Sequence, residues 1–235
     1  MSEWRPRRFW TEARAVAAAE GGWAVHLDGR PVRTPAKAAL RLPTRALAEA
    51  VAAEWAAQGE HLAPETMPLT RTANTAIDRV AAIAPAVVED LAGYGASDLL
   101  CYRAEGPMEL LARQAADWDP LLDWAAGQGA PLAVTRGVIP IAQPQASLDR
   151  LSARVAALEP FRLAAFHDLV ALSGSLVIAL AVLDGRIAAE EGWRLSRLDE
   201  DWQAEQWGED EEAAAQAAHR RAGFLDAARF LALLG

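Results

Sequence analysis

A single cysteine, Cys101, in 235 residues excludes an internal disulfide and the zinc sites built from closely spaced thiolates, and it fits a reducing compartment. Only Arg103 lies near it to lower its pKa, so a buried inert thiol is expected. Histidine is almost as scarce: His26, His61, His167 and His219 are dispersed, and none forms the HExxH pair of a helical zinc site. The glycine-rich phosphate loops are missing too, with no GxxxxGK[ST] and no GxGxxG after a strand, and there is no GxSxG elbow. Positive charge is in deficit. The 23 Lys and Arg are scattered among 32 Asp and Glu, leaving a net charge of −9, which excludes nucleic acid as a partner bound by phosphate neutralisation. The longest apolar run, Leu163 to Leu183, is interrupted by His167 and Asp168, and its uncharged remainder falls short of the ~20 residues a spanning helix needs. It reads as a buried core helix with no membrane insertion, and His167 with Asp168 as a satisfied polar pair in that core. Met1 to Trp10 has arginines but no apolar run behind them, so it does not read as a secretory signal.

What is present is alanine-rich, with apolar residues making up 52% of the chain, enough for a sizeable core. The first forty or so residues read as short strands. Glu20-Gly21-Gly22 is a turn, Trp23 to Leu27 alternates, and Asp28-Gly29 is a hairpin signal. Pro31, Pro35 and Pro43 confine the following strands to edges. Thr44 is the expected cap of a helix over 45–58 with Leu47, Val51 and Trp55 on one face. Residues 64–102 suggest two helices with a break at Gly93 and Gly95. From Pro107 the pattern turns helical: Trp118, Leu121, Leu122 and Ala125 form a stripe, residues 127–144 form a connector, and Ser147 caps a helix carrying Leu151 and Val155. The apolar helix follows, then helices over 187–207 and 209–234. The expected fold is α+β: an N-terminal α/β domain over 1–105, a small sheet and hairpin region with packed helices, followed by an all-α helical bundle domain over 106–235.

The segment Leu198 to Glu212 concentrates eight carboxylates and two tryptophans in fifteen residues without a Lys or Arg. Leu195, Leu198 and Trp202 are spaced i, i+3, i+7, and Glu205 falls next on that stripe. Two readings stand side by side. Glu205 sits at a fraying helix end, solvated or paired with an arginine, or it is a partner-facing carboxylate beside aromatic anchors. Glu209 to Glu212 are first-turn carboxylates favoured by the dipole of the last helix. Asp199, Asp201 and Glu205 lack the glycine and the twelfth-position glutamate of a calcium loop, so no metal and no cofactor is expected.

Several motifs occur in order along the chain: Arg8-Phe9-Trp10, Leu27-Asp28-Gly29-Arg30-Pro31-Val32, Asn74-Thr75-Ala76-Ile77-Asp78, Asp98 to Ala104, Trp118-Asp119-Pro120-Leu121 and Glu205-Gln206-Trp207-Gly208. Together they resemble the F-type ATP synthase assembly chaperones of the α-subunit-binding, ATP-twelve type, over almost the whole chain. The resemblance implies an α/β part followed by a helical domain. It implies a chaperone and not an enzyme, one that binds the unassembled α subunit and shields its β-contacting surface from aggregation. It also carries a functionally important acidic residue onto Glu205, with Asp201 as the second match. Trp202, Trp207 and Gln206 complete the expected partner-binding set. A monomer when free, located in the bacterial cytoplasm, is expected, with eukaryotic relatives in the mitochondrial matrix. The alternative is a hydrolase or small-molecule-binding enzyme with carboxylates at the domain junction.

Overall fold

Asp28 and Gly29 both take positive φ, 47° and 81°, and so close a two-residue turn in which Leu27 pairs with Arg30. That is the hairpin geometry whose twist suits the flanking strands, and Asp-Gly adopts it readily. In a computed structural model, which describes residues 7–235, this turn joins β2 (Trp23–Leu27) to β3 (Arg30–Pro31). The Met1–Trp10 stretch read above therefore lies partly outside the described residues. β1 (Ala13–Ala17) and β4 (Arg41–Leu42) also pair antiparallel with β2, which makes β2 the centre of a four-stranded sheet. The Asp28 carboxylate accepts hydrogen bonds from the backbone N–H groups of Thr11 and Glu12, and these bonds hold its pKa below the usual aspartate range.

Thr44 caps α1 (Arg45–Ala56) as expected, its Oγ1 accepting from Leu47 N at 3.2 Å. The same hydroxyl donates to Leu233 O at 2.6 Å. α1 packs on β1 and β2 and buries Leu47, Ala48, Val51 and Ala52, the apolar positions of one helical face. At its far end Glu54 accepts from Leu69 N (2.7 Å), Thr70 N (2.8 Å) and Thr70 Oγ1 (2.6 Å). The two backbone N–H groups are orphan donors in the first turn of α2 (Pro68–Thr75), which a helix start must satisfy from outside. α2 runs into a π-helical turn over Ala76–Val80, where Asp78 Oδ2 accepts from Ala36 N at 3.0 Å. α3 (Ala81–Gly93) then bends at Ile83 (φ −124°, ψ 21°), two residues before Pro85, which disfavours helical backbone ahead of it.

The contacts divide the chain into two compact units. One holds the described residues up to Ala84 with Glu159–Ala165 and Arg229–Gly235, and the other holds Pro85–Leu158 and Phe166–Ala228. The grouping departs from a single cut between 105 and 106, for two reasons legible in the bonding. Within the first unit Phe161 stacks on Phe230 with ring centroids 6.4 Å apart, so two distant stretches return to it. Within the second, Asp98 is fully buried and accepts from Leu100 N, Ser175 Oγ and Val177 N at 2.7–3.0 Å. It thereby ties residues 85–105 to the helical unit, at the start of α7 (Leu176–Leu183). Burial pushes the Asp98 carboxyl upward in pKa, and its hydrogen bonds act the other way.

The second unit is helical apart from a two-stranded parallel ribbon, β5 (Tyr102–Arg103) with β6 (Thr135–Arg136), whose second strand falls inside the 127–144 stretch expected as plain connector. In α4 (Met108–Gly127), Trp118, Leu121, Leu122 and Ala125 are buried as their spacing predicts. α5 (Gln145–Ala156) begins after Pro144. Ser147 does not cap it: its hydroxyl donates to Pro131 O at 2.6 Å. The expected single apolar helix is two, α6 (Pro160–Ser173) and α7, because Gly174 at φ 69° turns the chain and Ser175 caps the second piece. Among the described residues no helix is long and apolar enough to cross a membrane. His167 and Asp168 pair at 3.2 Å with about half of each side chain exposed, so they sit at the surface of the bundle and not in its core. The expected helix over 187–207 is likewise two, α8 (Ala189–Ser196) and α9 (Leu198–Trp207), interrupted at Arg197 (φ −108°, ψ 6°). α10 (Glu211–Leu234) follows Gly208, whose φ of 93° suits glycine.

Candidate functional site

The break at Arg197 decides what α9 presents. Leu195 and Leu198 are both buried but belong to different helices, so the stripe from Leu195 to Glu205 is not one continuous face. Within α9 itself, Leu198, Trp202 and Glu205 still share a side by helical spacing, and that side lies against α4. Two residues of α4 fix it there: Gln114 Nε2 donates to Asp199 Oδ1 at 2.7 Å, and Arg113 Nη1 donates to the two Glu205 carboxylate oxygens at 2.9 and 2.7 Å. Trp118 Nε1 holds the end of the preceding helix, α8, by donating to Leu195 O at 2.9 Å. One turn away, Arg194 of α8 makes a fork to Asp117 (2.9 and 3.2 Å) and pairs with Glu191.

Charge and burial set the carboxylates apart. The Arg113 hydrogen bond holds the Glu205 carboxyl below the usual glutamate range. Partial burial pushes Asp199 upward, partly offset by the Gln114 bond. Behind them Arg103 is almost completely buried: its guanidinium packs over the Trp118 ring at 5.2 Å, pairs with Asp119 at 2.7 Å and donates to Leu100 O. The cationic contact with an aromatic face joins two of the quoted sequence motifs. Cys101 beside it is buried, its thiol pushed up to about 12 by burial, which makes it unreactive near neutral pH.

The opposite side of α9 is open. It and the start of α10 flank a groove of about 480 Å³ lined by Glu200, Asp201, Gln203, Ala204, Trp207, Gly208, Glu209, Asp210 and the first alanines of α10, with Arg197 and Arg220 also on its lining. Trp207 is 79% exposed. The five residues singled out by sequence therefore do not form one face. Trp207 and Asp201 line the groove, Glu205 is on the α4 side and paired, Trp202 is half-buried, and Gln206 is exposed. Arg113 escaped sequence reading, since nothing in the sequence couples positions 92 residues apart. The α10 wall carries no separate sequence signal, because the helix dipole alone accounts for Glu209 and Asp210; Asp210 does cap α10, accepting from Ala213 N at 2.8 Å. Among the described residues no group of three or more His, Cys, Asp or Glu converges as a metal site. The chemistry available at α9 is recognition, by an exposed indole and an acidic surface.

Comparison with known proteins places the chain as a whole. Residues 7–126 match the model of the family described as ATP12 chaperone protein. The crystal structure of Atp12 from Paracoccus denitrificans superposes with a TM-score of 0.95 at 54% identity, covering 99% of this chain and all of that one. The Agrobacterium tumefaciens protein Atu1473 gives 0.94 at 44% identity, over 98% and 87% of the two chains. The mitochondrial protein atp12 of Schizosaccharomyces pombe is 26% identical over 223 residues, 88% of this chain and 75% of that protein.

Proposed function

The chain belongs to the ATP12 chaperone protein family, which serves ATP synthase assembly, and from that premise we propose that it holds the unassembled α subunit of the F-type ATP synthase. The observation that carries the reading to a place on the molecule is Trp207, a large indole left mostly exposed at the end of a helix whose other side is bonded to α4. An exposed aromatic anchor beside polar groups is the composition of an interface hot spot. The free α subunit exposes the apolar surface that the β subunit later covers, and such a surface aggregates unless something occupies it.

The contact region is α9, with Trp207, Asp201 and Gln206 on its accessible side and Trp202 and Glu205 on the side that fixes its position. The work is holding, not catalysis. Affinity is set low enough for β to displace the chaperone, which requires no nucleotide. Kinship to the Paracoccus and Agrobacterium proteins supports a bacterial cytoplasmic setting, and the chain acts as a monomer when free. The test is light scattering of purified α subunit diluted from denaturant. Equimolar chaperone should suppress aggregation of α and leave that of β unchanged; equal aggregation of α with and without it refutes the reading.

A further inference from the structure

The groove between α9 and α10 has a composition that selects its occupant. Along α9, Glu200, Ala204 and Trp207 share a side by helical spacing, and that side is turned away from the one Glu205 shares with Leu198. The α10 wall is made of alanines, Ala213, Ala214 and Ala217, which keep no bulky side chain in the way of close approach. Its two arginines are already engaged: Arg197 pairs with Glu200 at 2.8 Å, and Arg220 donates to Leu172 O at 3.0 Å. Asp201 and Glu209 also line it, and neither side-chain carboxylate has a hydrogen-bond or ion partner among the described residues. Trp207, between them in sequence and also on the lining, presents its ring to solvent.

Unpaired carboxylates beside an open indole match one chemistry, a cationic side chain that stacks on the ring while the acids accept its hydrogen bonds. Guanidinium suits both requirements best, because it is planar, weakly hydrated and able to fork onto carboxylates. We propose that the α9–α10 groove is the docking surface for an arginine-bearing segment of the client, and that Glu205 is a positioning residue that works from the far side of α9 through Arg113. The proposal rests on the reading that the client is the ATP synthase α subunit, and it deepens that reading by naming the face and the chemistry of recognition. A groove of about 480 Å³ holds a few side chains, so it anchors a segment and does not enclose the subunit. An acidic docking surface also predicts binding that weakens with salt, because exposed charges more than a Debye length apart, about 8 Å at physiological ionic strength, no longer attract.

The experiment measures the Kd of purified α subunit for the full chain, by titration at low and high salt, in the wild type, in Asp201→Lys/Glu209→Lys and in Trp207→Ala. Circular dichroism and thermal melting check that each variant is folded, and all three positions are at the surface. The double reversal should weaken binding by roughly 30-fold or more and flatten its salt dependence, and Trp207→Ala should weaken it on the order of tenfold. Two charge variants separate the positioning role from direct contact. Glu205→Arg alone should lose binding, and Arg113→Glu combined with Glu205→Arg should recover it to within a few fold. Wild type that binds α while the groove variants bind equally well overturns the groove assignment and leaves the chaperone reading intact. Lack of rescue by the swap overturns the positioning role. Wild type that fails to bind α overturns the chaperone reading and the groove with it.

Discussion

Arg113 and Glu205 meet between α4 and α9 through one guanidinium nitrogen placed 2.9 and 2.7 Å from the two carboxylate oxygens. The pair is part exposed, so its direct weight in stability is small, yet it acts together with the Gln114–Asp199 bond, which holds the same helix to α4.

The pair fixes a pH window. Arg113 lowers the Glu205 pKa in the folded chain, so the attraction is fully present above the unfolded glutamate value and is lost as pH falls through the lower folded value. A carbon-detected NMR titration should give Glu205 an inflection below the ordinary value of about 4.3. Arg113→Ala should return it to that range. An unmoved inflection contradicts the pairing.

Asp98 is the buried carboxylate on which the start of α7 depends. Asp98→Ala leaves the donors of Leu100, Ser175 and Val177 without this acceptor and should cost about 3 kcal/mol, seen as a drop in Tm on the order of 6–12 °C. Burial raises its folded pKa. Its contribution is therefore greatest in acid and falls as pH rises through that value. Urea unfolding at several pH values should show the wild type losing stability against Asp98→Asn as pH increases.

Glu54 serves the first turn of α2 in the other unit. Glu54→Ala removes the acceptor of Leu69 N and Thr70 N and should cost about 1–2 kcal/mol. Amide exchange at those two residues should accelerate while that of α1 near Leu47 changes little.

Gly192 lets α8 approach α7. A Cβ there would lie 2.7 Å from Val182 Cγ2 and 3.4 Å from both Ile178 Cγ2 and Phe224 Cζ. Gly192→Ala should destabilise by about 1–3 kcal/mol through overpacking, in spite of alanine's better helix propensity, and Val182→Ala in the same chain should recover part of the loss.

Where local chemistry decides, the sequence announces the structure. Asp28-Gly29 makes the hairpin, Thr44 caps α1, and the Trp118 to Ala125 stripe is buried. Where one residue breaks a periodic pattern, it does not. Gly174 and Arg197 each divide a helix that apolar spacing would carry through, and the second of these undoes the face on which Glu205 was placed. Ser147 looks like a cap because its hydroxyl can serve one, yet the bond it makes is to Pro131, sixteen residues away. For the site, the acidic, tryptophan-bearing segment was visible in the sequence. Its division into a bonded side and an open side was not, since that depends on Arg113 and Gln114 of α4, tertiary partners with no sequence mark.

Under the proposed function the chain holds α until β takes its place. Purified α subunit and chain, mixed and run on a sizing column, should elute as a stable complex, and added β should release the chain as α and β associate. A chain that remains bound once α and β have joined, or that never co-elutes with α, contradicts a holding role of this kind.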